Sequence, residues 1–214
     1  YPYTLEQHIQ NLEALIGALA LSDITLAVHD WGGGIGMGYA TRHPETLKRF
    51  VIFNTAAFYK PVVPWILRLA RSRGLGALML RGINAFAILA LWLAMGHPER
   101  MTRDVRAGYL APYDNWRNRV AIYRFVRDIP LREDHPTRET VDAIDANLPQ
   151  FRDHPMLIIW GAKDFVFTVE DYLAGWQARF PNAEVHIIED AGHYVVEDAH
   201  RRILPLVTDF ILRT

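Results

Sequence analysis

The chain has 214 residues, half of them hydrophobic and 22% charged, and 23 Lys plus Arg against 24 Asp plus Glu leave a formal net charge of -1. That composition supplies a packed core and excludes a disordered chain and a basic nucleic-acid binder. With no cysteine, disulfides, thiolate nucleophiles and Cys-ligated zinc are excluded as well. The most apolar run, residues 85–95, has eleven residues, short of the about 20 that a membrane span needs. Nothing near Tyr1 resembles a signal peptide, so a soluble, cytoplasmic protein without a membrane span is expected.

Thr4-Leu5-Glu6-Gln7 opens like a capping box with Gln7 at the third position. Leu12, Leu15, Ile16 and Leu19 follow at helical spacing and predict a helix to about Leu21. After Ser22-Asp23, residues 24–28 form a short continuous apolar run, the pattern of a strand buried on both faces of a parallel sheet. His29-Asp30-Trp31 and a set of glycines (Gly32, Gly33, Gly34, Gly36, Gly38) then lead into a helix ending near His43, and residues 50–53 are the next strand. From about Lys60 only helices are predicted, over 65–70, 75–80, 85–94, 102–109, 115–126 and 137–148, with Pro61, Pro64, Pro130 and Pro136 as punctuation. Strands return at 156–160 and 184–188, separated by a helix over 169–180 and followed by one over 198–212. The order predicts an α/β fold with a parallel sheet. It divides into a first core part (1–59), a helical cap (60–151) and a second core part (152–214).

A strand running into glycines suggests a phosphate site at a helix N-terminus, but the pattern fails. Gly32-x-Gly34 is followed by Met37 and Gly34-x-Gly36 by Tyr39 in place of the third glycine, and no Lys-Ser or Lys-Thr pair follows. Two readings of Asp30 remain on this window. One is a helix N-cap. The other is a nucleophile elbow over Val28-His29-Asp30-Trp31-Gly32, in which Asp30 projects from a strained bend and small neighbours let strand and helix pass closely.

Asp164, in Gly161-Ala162-Lys163-Asp164, and His193, in Ala191-Gly192-His193, both follow predicted strands, so all three residues are expected at the carboxyl edge of the sheet. The order acid, then histidine, is the one a catalytic triad on such a sheet takes. His43, His97, His135 and His154 adjoin prolines, and His8, His186 and His200 read as ordinary helix or strand positions. With no clustered pair, no metal and no cofactor are expected.

His29-Asp30-Trp31-Gly32-Gly33, Trp160-Gly161-Ala162-Lys163-Asp164-Phe165 and Asp190-Ala191-Gly192-His193-Tyr194 resemble the α/β-hydrolases with an aspartate nucleophile, in the haloalkane dehalogenase-like branch. The resemblance implies Asp30 as nucleophile, His193 as base and Asp164 as the acid that orients it, since the alternative acid position holds Asn54, which cannot ionise. It implies that Trp31 donates its indole N–H to the leaving group. The reaction implied is attack of Asp30 on a saturated carbon, an alkyl ester intermediate, and hydrolysis by water that His193 deprotonates. Phe86, Leu89, Leu91, Trp92 and Leu93 would form an apolar wall for a small hydrophobic substrate. Asn54-Thr55-Ala56-Ala57-Phe58 and the segment from Ala191 to Asp198 also resemble β-lactone decarboxylases of olefin biosynthesis. Epoxide hydrolases, which use cap tyrosines to protonate the epoxide oxygen, are a further alternative, with Tyr109, Tyr113 and Tyr123 as candidates.

Such enzymes carry four strands and a helix ahead of the helix that here starts at Thr4, so the resemblance implies an incomplete core. Strand 24–28 would lack its usual neighbour, with Leu26 and Val28 uncovered and self-association through that edge as the consequence. The oxyanion site would keep a single backbone N–H, that of Trp31, and loss of one such donor costs about 3 kcal/mol. An inactive domain that binds a hydrophobic ligand is therefore the competing class of reading.

Overall fold

The computed structural model of the protein describes residues 1–62, 64–72 and 74–214. Its frame is a sheet of four parallel strands in sequence order: β1 (Ile24–Asp30), β2 (Leu47–Thr55), β3 (Met156–Gly161) and β4 (Glu184–Ile188). Helices α1 (Leu5–Leu19) and α2 (Trp31–Arg42) flank β1 in the chain, α9 (Ala174–Arg179) lies between β3 and β4, and α10 (Val195–Arg213) closes it. Between β2 and β3 run α3 (Trp65–Ala70), α4 (Leu75–Ala77), α5 (Ala85–Leu93), α6 (Arg103–Leu110), α7 (Val120–Asp128) and α8 (Pro136–Asn147), with no strand among the described residues. This is a parallel α/β core interrupted by a helical insertion, the arrangement the strand spacing predicts.

Alternation along β2 and β3 explains the layers. Phe50, Ile52, Ile158 and Trp160 face one side and pack with Met37 of α2, Leu148 and Trp176. Val51, Phe53, Leu157 and Ile159 face the other, where Ile203 and Phe210 of α10 cover them. With both faces covered, the middle strands are continuous apolar runs. Helix α8, inside the expected cap interval, packs through Ile144 in this main core. Asp128 at the end of α7 ties the insertion to the core, accepting from the Leu5 N–H (2.7 Å) and the Thr137 hydroxyl (2.7 Å).

Thr4 caps α1 through its hydroxyl and the Gln7 N–H (3.3 Å), but the Gln7 side chain turns to Asn11 instead of back to the cap. β1 is an edge of the sheet, yet Val28 is buried and Leu26 half-buried against α2 at Gly36, so the expectation that both lie uncovered does not hold. Only Ala27 of this strand is exposed.

Candidate active site

β1 ends in a bend that places Asp30 at φ 50° and ψ -127°. A non-glycine residue held there stores about 1–3 kcal/mol. The surroundings enforce it: the Thr55 hydroxyl donates to the Asp30 carbonyl, and Asp30 pairs with Thr55 across a register shift between the two strands. Helix α2 then leaves against β2 so closely that a Cβ on Gly33 would sit 2.0 Å from Thr55 Oγ1 and 2.8 Å from the Ala56 carbonyl. Asp30 precedes α2 but makes no side-chain cap hydrogen bond, which removes the N-cap reading. Its carboxylate is instead partly open, with 45% of the side chain accessible.

Parallel register brings the strand ends together. His193 follows β4, and its Nδ1 lies 2.8 Å from Asp164 Oδ2, while Nε2 lies 4.0 Å from Asp30 Oδ1. The three residues therefore meet, with the imidazole between two carboxylates. The Asp164 side chain is fully buried. Its Oδ1 accepts the backbone N–H groups of Val166 (2.7 Å) and Phe167 (3.0 Å), and its Oδ2 accepts from Asn54 (3.0 Å) as well as facing His193. Burial lowers the basicity of His193, but the hydrogen bond and charge of Asp164, with the charge of Asp30, outweigh it and raise its pKa above the ordinary histidine value. The neighbouring His29 goes the other way, its pKa lowered by burial first and by His193 second. The His29 Nε2 lies 2.8 Å from the His193 carbonyl and so fixes the backbone that carries the imidazole.

Two further groups act as positioning residues, one of them Asn54, which the sequence marks only as an acid position that cannot ionise. Asn54, at the end of β2, is fully buried and clamps β3: it accepts from the Gly161 N–H (2.8 Å) and donates to the Gly161 carbonyl (3.1 Å) and to Asp164. The signal for it is visible, a polar residue ending an apolar strand. Asp198, five positions past His193 and fully buried, accepts three backbone N–H groups: Gly96 and Gly192 (2.7 Å each) and His97 (2.9 Å). It staples the end of α5 to the loop that carries His193.

Asp30, Trp31 and His193 line a cavity of about 470 Å³ whose remaining wall is mostly apolar. Trp31 stands at the start of α2 with its ring 5.2 Å from that of Phe125, and among the described residues no side chain or carbonyl takes its indole N–H. Of the expected wall, Phe86, Leu89 and Leu93 face the cavity. Leu91 does not: it packs with Met95 and Met101 in a separate cluster. Trp92 is exposed beneath the Arg106 guanidinium (4.6 Å). The candidate cap tyrosines separate likewise. Tyr113 reaches the cavity, Tyr123 is buried inside the insertion, and Tyr109 bonds Glu197 (3.1 Å) and stacks on Tyr194. Among the described residues no cluster of histidines and carboxylates suits a metal ion.

The family model of the alpha/beta hydrolase fold matches residues 1–199. A cis-3-alkyl-4-alkyloxetan-2-one decarboxylase of Shewanella oneidensis is 43% identical over the whole chain, which spans 68% of that protein. A second, from Xanthomonas campestris pv. campestris, is 42% identical over the whole chain, which spans 71% of it. In shape the chain superposes on haloalkane dehalogenase DatA from Agrobacterium tumefaciens C58 with a TM-score of 0.87, covering all of this chain and 74% of that one at 22% identity, a likeness of fold alone.

Proposed function

The chain belongs to the α/β-hydrolase fold family, and from that premise we propose that it decarboxylates β-lactones that carry two alkyl chains, with Asp30 as nucleophile. The observation that carries this reading is the identity to two decarboxylases of such lactones along the entire chain. It displaces halide release, which the motifs alone put first. An apolar cavity with one carboxylate and one imidazole at its polar end suits a substrate that is a small polar ring between two hydrocarbon arms.

In the proposed reaction Asp30 attacks the ring carbon that bears oxygen, in line with the C–O bond. That bond breaks, and its electron pair leaves on the ring carboxylate. The resulting ester then loses carbon dioxide: the C–C electron pair becomes the alkene, the bond to Asp30 breaks, and the Asp30 carboxylate returns. Atoms and charge balance with no water and no net proton. His193 acts here as an imidazolium that receives the departing carboxylate, with the Trp31 indole N–H as a second donor. Asp164 orients the imidazolium ring and stabilises its charge.

Halide release is the second reading, and the Trp31 N–H, unused among the described residues, is the feature that favours it. One experiment separates the two. The protein is given a cis-3,4-dialkyl-oxetan-2-one and a 1-haloalkane, and alkene, carbon dioxide and halide are measured. Alkene and carbon dioxide from the lactone, abolished in Asp30→Asn, support the proposal. Halide release without lactone turnover, or lactone turnover that survives in Asp30→Asn, overturns it.

A further inference from the structure

The balanced charge of the whole chain hides a segregated segment. Residues 61–98 contain four arginines (Arg68, Arg71, Arg73, Arg81) and no Asp or Glu. Their apolar side chains are turned outward to an unusual degree: Trp65 is 74% exposed and Ile83 65%, with Leu75 and Leu78 also more than half exposed. Isolated exposed leucines need no explanation, but a run of them along α3, α4 and α5 does. Among the described residues, no carboxylate lies within 4.0 Å of Arg68, Arg71 or Arg81, or of Arg103, Arg106 or Arg117 beyond the segment. Arg68 is exposed, whereas the half-buried Arg71 donates to the Val126 and Ile129 carbonyls. The half-buried Arg81 donates to the Trp116 carbonyl and lies over the Trp116 ring. The segment is thus apolar and carries positive charge with no acidic partner.

It is also continuous with the cavity. Leu69, Leu89 and Leu93 are exposed and at the same time line the cavity that holds Asp30 and His193. No single helix among the described residues is long and apolar enough to cross a membrane, and the apolar segments Leu75–Gly82 and Ala85–Leu93 meet at a bend of 74°.

We propose that this face of the helical insertion docks onto bilayers that carry anionic lipid, so that the cavity mouth opens toward the hydrocarbon. Three features select a lipid surface as the occupant. Exposed Trp65 and Trp92 suit the headgroup level. Arginines without acidic partners find them in anionic headgroups, an attraction that adds with each cation and is screened by salt. The exposed leucines at the cavity rim give an alkyl chain a route from lipid to Asp30 that avoids water. A second copy of the chain is a poor occupant, because a two-fold contact would set this acid-free, arginine-bearing segment against itself.

The test is flotation of the full chain with vesicles of pure phosphatidylcholine and of an equal mixture with phosphatidylglycerol, at low and high salt. It needs no turnover, so it stands or falls separately from the reaction proposed above. Binding is expected to the anionic vesicles, weakened by salt and reduced at least about tenfold both in Trp65→Ser/Leu78→Gln/Ile83→Gln and in Arg68→Glu/Arg81→Glu. Trp65, Leu78, Ile83, Arg68 and Arg81 lie outside the cavity wall. Should a variant fail to fold, the wild-type chain decides: brominated lipid must quench its tryptophan fluorescence in anionic vesicles. Absence of vesicle binding, binding indifferent to lipid charge and salt, or unquenched tryptophan overturns the proposal. So does a dimer that the triple variant abolishes while vesicles are ignored.

Discussion

Asn54 donates to Asp164 Oδ2 across 3.0 Å, the same oxygen that faces His193 Nδ1 at 2.8 Å. The neutral amide stands at the position that the resemblance implies as the alternative place for an acid. Here it fills one lone pair of the carboxylate and leaves the other to the imidazole. The pairing sets the direction in which Asp164 points, and hence where His193 stands relative to Asp30.

Asn54→Leu should therefore act through the dyad rather than through substrate binding. It leaves the Gly161 N–H unpaired at a fully buried site, while the Gly161 carbonyl keeps the Asp164 N–H at 3.3 Å, a cost of about 1–3 kcal/mol. Turnover should fall about 10–100-fold, the usual penalty for removing a group that orients a ligand or base. KM should stay within about twofold, because Asn54 does not line the cavity. Steady-state kinetics with a urea titration read both numbers. A raised KM at unchanged kcat would contradict the positioning role.

Asp198 makes a comparable prediction for the cap. Its carboxylate gathers the N–H groups of Gly96, His97 and Gly192, and a Cβ on Gly192 would lie 2.5 Å from the Ala94 carbonyl, so the two chain segments touch with nothing between them. Asp198→Asn turns an amide N–H₂ toward these donors and should destabilise by about 2–4 kcal/mol. Hydrogen exchange should accelerate first at residues 94–97 and 191–194. Unchanged protection there would show that the contact holds without the carboxylate.

Much of this was legible in the residues, and the failures have physical causes. Four short apolar runs mark the four strands because a strand covered on both faces has no polar side to show. The runs understate strand length, since β1 continues through His29 to Asp30 and β2 begins at Leu47, where pairing is carried by backbone that hydrophobicity does not report. Asp30, Asp164 and His193 are visible because each follows a strand, and parallel register brings strand ends to one edge. The cavity wall was less readable. Residues 85–93 are apolar on every side, so periodicity could not tell Leu89 and Leu93, which face the cavity, from Leu91 and Trp92, which do not. Net charge failed as a guide to local charge for a related reason: a sum of -1 contains the segment 61–98, with four arginines and no Asp or Glu.

The protonation of His193 offers the sharpest division between the two chemistries. Its pKa is raised in the folded protein, because Asp164 and Asp30 favour the imidazolium more than burial opposes it. The stability from this pairing is fully present below the unfolded histidine value of about 6.5 and is lost as pH rises through the higher folded value. Lactone decarboxylation as proposed needs the imidazolium, to receive the departing carboxylate, and consumes no water. Its kcat/KM should be highest where His193 is protonated and fall about tenfold per unit above the folded pKa of His193. Halide release needs the neutral imidazole to deprotonate the hydrolytic water, so its kcat should rise through that same pKa. Asp164→Asn removes the partner whose hydrogen bond and charge outweigh burial, and should move either limb to lower pH, a shift that a merely structural defect would not produce. The measurement is a profile of lactone turnover from pH 5 to pH 10 for the wild type and Asp164→Asn. A lactone profile that climbs with pH would assign His193 the role of base and sink the imidazolium step.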